Sequence, residues 1–262
     1  MELKNARHAF VTGGASGIGL GIVGAFVRRG IKVTIADIDR AAIDAAVGMQ
    51  GGHAYGVELD VRDRGGWQRA KSDAEITLGP VDILVNNAGI WADGVALPDM
   101  APESFDRLFA VDVTGVFNGV AAFGAALRQR RRGHIVNTAS IMGLCSGAPG
   151  MAAYTAAKSA VVSLTEVLRL ELAPHDVGVS VLCPGLVTSN LIANSRRAGS
   201  QVRDEEATHG AGRQGMPPAQ AGEIVCNGIE RNELYIFTHA EYAPAFERRA
   251  GAVMQAFHAV AR

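Results

Sequence analysis

Cysteine is scarce and scattered. Cys145, Cys183 and Cys226 are the only three in 262 residues, and they lack CxxC spacing, which excludes a disulfide framework or a thiolate metal knuckle as the organising device. The seven histidines show no HExxH or other close pairing, so no metal site is indicated. An excess of one charge is missing too. With 25 Lys and Arg against 26 Asp and Glu, the formal net charge is -1, without the basic footprint that a nucleic-acid backbone requires. The local run Arg128, Arg130, Arg131, Arg132 reads as a solvated helix end. The opening MELKNARHAF has no apolar h-region, so export is not expected and a cytoplasmic protein is. From Gly133 to Ala157 no residue is charged, yet Asn137, Pro149 and several Gly, Ser and Thr interrupt the run. A buried strand followed by a loop is expected there, and no membrane span.

What the chain does have is apolar material and rhythm. Hydrophobic residues make up 48% and charged ones 19%, enough for a large core. Short β-rich runs alternate with helical patterns: HAFVT, then Gly17 to Arg29; KVTIA, then Asp39 to Val47; AYGVELD, then Asp63 to Leu78; VDILVNNAG, then a long helix from about Pro102. HIVNTAS, a helix from about Ala153 to Leu172, VSVLCPG, LYIFT and a helix from about Glu241 follow. This is a βαβ order, and it predicts one α/β domain with a doubly wound parallel sheet of about seven strands and helices on both faces. Between about 189 and 216 the rhythm fails in a polar, glycine-rich segment, which predicts a lid or loop beside a site.

Two stretches carry chemistry. TGGASGIG, Thr12 to Gly19, follows the first strand and opens a helix, where a glycine loop can hold a pyrophosphate on backbone N–H groups. Gly13 suits the tight turn, Gly17 the close approach of phosphate, and Gly19 the packing of helix on strand. Asp37 ends the second strand, where a carboxylate meets adenosine ribose hydroxyls and repels a 2′-phosphate. With no Arg or Lys at Ala15, Ser16 or Ile38, NAD is expected over NADP. In YTAAK, Tyr154 and Lys158 stand four apart and share a helix face. A free phenol titrates near ~10, so a neighbouring ammonium is what makes it a usable proton shuttle. The plain alternative is an amphipathic helix with one buried tyrosine and one solvated lysine.

TGGASGIG, NNAG (Asn86 to Gly89), Ser140, YTAAK and Pro184-Gly185, in order from about Arg7 to Thr188, resemble the short-chain dehydrogenase/reductase family. The resemblance implies a Rossmann-type fold, with Tyr154 as general acid/base, Lys158 lowering its pKa and holding the nicotinamide ribose, and Ser140 bonding the substrate oxygen. It also implies a cofactor groove lined by Ser16, Ile18, Ile38, Asn86, Asn87, Ala88 and Gly89, with Asp60 and Val61 beside the adenine. Pro184, Gly185, Val187 and Thr188 face the nicotinamide end in that reading. One departure stands out: VDVTG puts Asp112 where the family usually has asparagine. An ionised aspartate only accepts hydrogen bonds, so Asp112 is expected either to anchor a relay from Lys158 and raise its pKa or to be a tolerated near-isostere.

The substrate should meet Trp91, Met142, Leu144, Cys145 and Leu191, because ligands in open α/β sheets bind beyond the carboxyl ends of the strands. That wall is mostly apolar, which suits a neutral hydrophobic secondary alcohol or its ketone, aromatic or alicyclic. Cys145 is read as pocket lining and His209 as solvated. Two other readings stay open: an epimerase or dehydratase with retained NAD, and a silent dinucleotide sensor. The family likeness further implies a homotetramer or homodimer, with the helices over Arg107 to Arg128 and Lys158 to Leu172 as contact faces. Neither nucleic acid nor membrane is expected as a partner.

Overall fold

A computed structural model describes residues 1–145, 148–200 and 215–260. His209 and much of the segment expected as a lid lie outside the described residues. Seven parallel strands form one sheet: β1 (His8–Thr12), β2 (Lys32–Asp37), β3 (Ala54–Glu58), β4 (Ile83–Asn86), β5 (Gly133–Thr138), β6 (Val177–Cys183) and β7 (Tyr235–Phe237), in the order β3-β2-β1-β4-β5-β6-β7. All five residues of β1 and all six of β5 are buried, as expected of strands covered on both faces. The order reverses between β1 and β4, which opens a crevice at their carboxyl ends, the switch point where this architecture binds ligands.

The helices are α1 (Gly17–Val27), α2 (Arg40–Gly48), α3 (Arg64–Leu78), α4 (Pro102–Phe109), α5 (Gly115–Arg130), α6 (Ala152–Leu172), α7 (Leu191–Arg197), α8 (Pro218–Glu230) and α9 (Ala243–Val260). On one face Phe10, Trp67 and Phe123 interlock, with ring centroids 5.0 Å apart for Phe10 and Phe123. On the other, Ile22, Phe26, Val225 and Ile229 pack α1 on α8. There the two backbones touch, since a Cβ on Gly21 would lie 2.0 Å from the Pro218 carbonyl oxygen.

The long helix expected from about Pro102 runs to Arg130, with a π turn at Ala110–Thr114 between α4 and α5. Two expectations need correction. The polar segment after Thr188 is not devoid of structure: it contains α7, whose run LIANSRR is too short to show a helical period. The arginine run is not simply solvated. Arg130 and Arg132 both reach the buried carboxylate of Asp82, at 3.3 and 3.5 Å, and Arg131 pairs with Asp176.

Candidate active site

Thr12, the last residue of β1, ties the crevice together. Its hydroxyl accepts from the N–H groups of Asn87 (2.9 Å) and Ala88 (3.1 Å), and Asn87 Nδ2 donates back to the Thr12 and Gly13 carbonyls at 3.0 and 3.3 Å. The glycine loop runs over this strap. Gly13 has φ +60°, and a Cβ there would stand 3.0 Å from Ala88 Cα, so the turn needs glycine both for its backbone angle and for space. Gly19 is tighter, with the Gly13 carbonyl oxygen 2.1 Å from where its Cβ would be. The helix N-terminus behind this bare loop is the cradle that a dinucleotide pyrophosphate requires.

The other expected cofactor residues are placed unevenly. Asp37 ends β2 beside the loop, where its carboxylate accepts from the N–H groups of Ile38 (2.8 Å), Asp39 (3.3 Å) and Ala15 (3.3 Å). Ser16 precedes α1 and Ile18 lies in its first turn. Asp60 is clamped by Arg62, whose guanidinium reaches one carboxylate oxygen at 2.6 Å; hydrogen bonding to Arg62 holds its pKa below the usual value. An adenine amine would have to compete for that carboxylate. The Val61 carbonyl is already occupied by Trp67 Nε1 and Asn118 Nδ2, both at 2.9 Å. Pro184 accepts from the Ile141 amide at 3.0 Å, Gly185 N–H donates to Thr238 Oγ1 at 3.0 Å, and Val187 bridges to Met216. Thr188 donates from its amide to the Met216 carbonyl at 3.0 Å and from its hydroxyl to Gly215 at 3.2 Å.

Asn86 does not line the groove as expected. It is buried, its Nδ2 donates to Asn137 Oδ1 at 2.9 Å, and Asn137 donates onward to Thr165 at 3.0 Å. Strand alternation sends Asn86 to the sheet's α5 and α6 face and leaves the crevice to Asn87.

Four side chains from three segments meet beyond β4 and β5. Tyr154 and Lys158 come from α6 and are 5% and 4% exposed, and Asp112 comes from the π turn and is fully buried. Ser140 caps the turn after β5, its hydroxyl accepting from Met142 N–H at 3.2 Å, and it acts on the Tyr154 phenol to lower its pKa. Lys158 Nζ stands 5.5 Å from the centre of the Tyr154 ring, 2.9 Å from Asp112 Oδ2 and 3.4 Å from the Thr138 carbonyl. Burial pushes the Tyr154 pKa up. Lys158 and Ser140 pull it down and Asp112 pushes it up again, so it sits above the ordinary phenol value. Burial alone would lower the Lys158 pKa, but Asp112 and Tyr154 outweigh it and the ammonium is held above its usual value. The trio can therefore hold and exchange one proton at the phenol oxygen beside a fixed cation.

Of the residues expected to form the substrate wall, Trp91 touches this group directly. Trp91 lies against Tyr154 with ring centroids 4.6 Å apart, a contact that no sequence spacing indicated. Met142 and Leu144 are half-buried and Cys145 is buried, its thiol pushed up chiefly by burial, which argues against a nucleophile. Leu191 opens α7, and three residues of α7 invisible to motif reading fasten it down. Asn194 donates to Ser16 Oγ at 3.0 Å, Ser195 Oγ accepts from Trp91 N–H at 2.7 Å, and Arg197 pairs with Asp39 at 2.8 Å.

Comparison with known proteins bears on what this arrangement is. The profile of the short chain dehydrogenase family matches residues 7–199. A C alpha-dehydrogenase of Sphingobium sp. (strain NBRC 103272 / SYK-6) is 32% identical over 260 residues, covering 94% of this chain and 85% of that protein. The 2-(S)-hydroxypropyl-CoM dehydrogenase 3 of Xanthobacter autotrophicus is 41% identical over 191 residues, covering 72% and 74%. Among solved structures, a short chain dehydrogenase/reductase from Burkholderia phymatum in complex with NAD matches with a TM-score of 0.88 at 30% identity, over 97% of this chain and 96% of that one.

Proposed function

The chain belongs to the short-chain dehydrogenase/reductase family, and from that premise we propose that it interconverts a hydrophobic secondary alcohol, aromatic or alicyclic, and its ketone with NAD(H). NAD, when bound, supplies the acceptor for the hydride that leaves the carbinol carbon. Tyr154 takes the hydroxyl proton in oxidation and returns it in reduction. Lys158 keeps a positive charge beside the phenol, and Ser140 donates a hydrogen bond to the substrate oxygen as charge grows on it. The glycine loop and the Thr12–Asn87 strap hold the dinucleotide, and the Asp37 carboxylate disfavours a 2′-phosphate.

The observation that carries this reading is the convergence of Tyr154, Lys158 and Ser140, all buried, at the mouth of the switch-point crevice. The Trp91 ring against Tyr154 supports a flat or cyclic substrate, since aromatic faces favour offset or tilted stacking. Self-association as a tetramer or dimer is part of the proposal. It is supported by Phe117 on α5 and Val167 and Leu170 on α6, which are 48%, 51% and 74% exposed. Light scattering of the purified protein would check it.

The decisive experiment is Tyr154→Phe, assayed with a panel of aryl and cyclic secondary alcohols with NAD and with NADP. Turnover should fall at least ~100-fold, while NADH binding, read by fluorescence, persists. A variant that turns over within tenfold of the parent would remove Tyr154 from the chemistry.

A further inference from the structure

Asp112 is built into the site with care. The π turn Ala110–Thr114 sits between two α-helices that are each pinned to the body. A π turn adds a residue to a helix and so re-aims the side chains within it, which is why such turns recur at functional sites. Here α5 cannot rotate to compensate, because Gly115 and Gly119 lie in close contact with Val61 and Asn86. Asp112 Oδ1 accepts from the Ile90 amide at 2.8 Å, and Oδ2 faces Lys158 Nζ at 2.9 Å. Gly89 makes room: a Cβ there would lie 3.2 Å from Nζ and 3.4 Å from Oδ2. Asparagine at this position has a single acceptor oxygen, so it could accept from the Ile90 amide or from Lys158, not from both through separate oxygens as Asp112 does. It would differ from Asp112 both in lacking the charge and in turning a donor NH2 toward one of these two donors.

We propose that Asp112 is a positioning residue that holds Lys158 as a directed, permanently charged cation and, by placing an anion behind it, raises the pH at which Tyr154 exchanges its proton. The inference rests on the role given above to Tyr154 and Lys158. Its physical basis is that an ammonium neutralised by a carboxylate 2.9 Å away offers a nearby phenolate less stabilisation than a free one.

Four elements supply the groups that surround the trio. Helix α6 contributes Tyr154 and Lys158, the end of β6 contributes Cys183, the end of β5 contributes the Thr138 carbonyl and Ser140, and the β4–α4 segment contributes the Ile90 amide and Gly89. Cys183 is neutral at working pH, its thiol pushed up to about 12 chiefly by burial. Among these described groups, Asp112 is the one carboxyl acting on the pair; burial pushes its own pKa up, while Lys158 and the Ile90 amide pull it down toward the charged form.

The test is an ultraviolet titration of the phenolate, taken as the difference between each protein and the same protein carrying Tyr154→Phe. In Asp112→Asn the Tyr154 midpoint should fall by about one pH unit, and the alkaline limb of kcat/KM for alcohol oxidation should move by the same amount. Near neutral pH that shift reads as up to ~10-fold higher kcat/KM. Asp112→Ser removes the same anion and decides by the same titration if Asp112→Asn does not fold. A midpoint unchanged from the parent overturns the proposal, even if turnover drops, because a purely structural role would lower activity without moving the titration. The titration needs no turnover. A failure of the oxidoreductase reading would instead show as Tyr154→Phe retaining turnover.

Discussion

Gly119 shows how closely single atoms are accounted for around this site. A methyl group added there would lie 2.0 Å from Asn86 Oδ1 and 2.8 Å from the Trp67 ring. Asn86 cannot retreat, because it is the first link of the buried series Asn86, Asn137, Thr165 that ends on the Val161 carbonyl. Gly119→Ala should therefore destabilise the fold by ~1–3 kcal/mol. Gly124, one and a half turns further along α5, makes an informative contrast. Its nearest neighbour would be 3.7 Å from an added Cβ, so Gly124→Ala should be neutral or stabilising by up to ~1 kcal/mol through helix propensity. Urea denaturation of the two variants side by side reads the difference, and equal midpoints would mean that α5 has more freedom to shift than these distances imply.

Helix α7 acts through its attachments. It is only seven residues long, far below what a helix needs to persist alone, and it is fastened to the glycine loop, to the end of β2 and to the chain after β4 by Asn194, Arg197 and Ser195. Those three anchors tie α7 to the glycine loop and to the chain after β2 and β4, and α7 is expected to lift when a dinucleotide leaves. Arg197→Ala removes the anchor at Asp39, a pair whose arginine is 60% exposed and so worth little in stability. It should speed NADH release and raise KM for NAD by about two- to fivefold, leaving thermal stability within error. Stopped-flow fluorescence of NADH dissociation measures this directly. An unchanged off-rate would show that α7 does not gate the exit. The strand–helix order along the chain and the glycine loop were readable from residue spacing, but this helix was not: its seven residues show no period, and each anchor joins it to a distant part of the chain.

The stability of the whole molecule should depend on pH through its buried histidines. His134 lies in the middle of the sheet, with Nε2 bonded to Ser180 Oγ at 2.8 Å and Nδ1 pressed against Gly178. Burial lowers its pKa from 6.5 to about 3, and burial also lowers that of His8. Both are neutral when folded and charge more easily when unfolded. Their contribution is thus complete above the ordinary value of 6.5 and is lost as pH falls through the folded value. Between 6.5 and about 3 the His134 contribution should fall by about 1.4 kcal/mol per pH unit, and below the folded value no further loss accrues. Melting temperature should fall steeply on the acid side, and His134→Gln should flatten that limb. If parent and variant keep parallel acid limbs, some other group sets the acid sensitivity.

The strand and helix order, the glycine loop and the Tyr154–Lys158 pairing were all legible in the linear chain. Each depends on a local period or on a fixed spacing along one element, and these carry their own geometry wherever the element is placed. The partner of Asp112, the inward turn of Asn86, the Trp91 face on Tyr154 and the bond from Asn194 to Ser16, 178 residues away, were settled by packing. They depend on how far apart two elements lie and on which side faces inward, and those distances exist only once the sheet has closed against its helices.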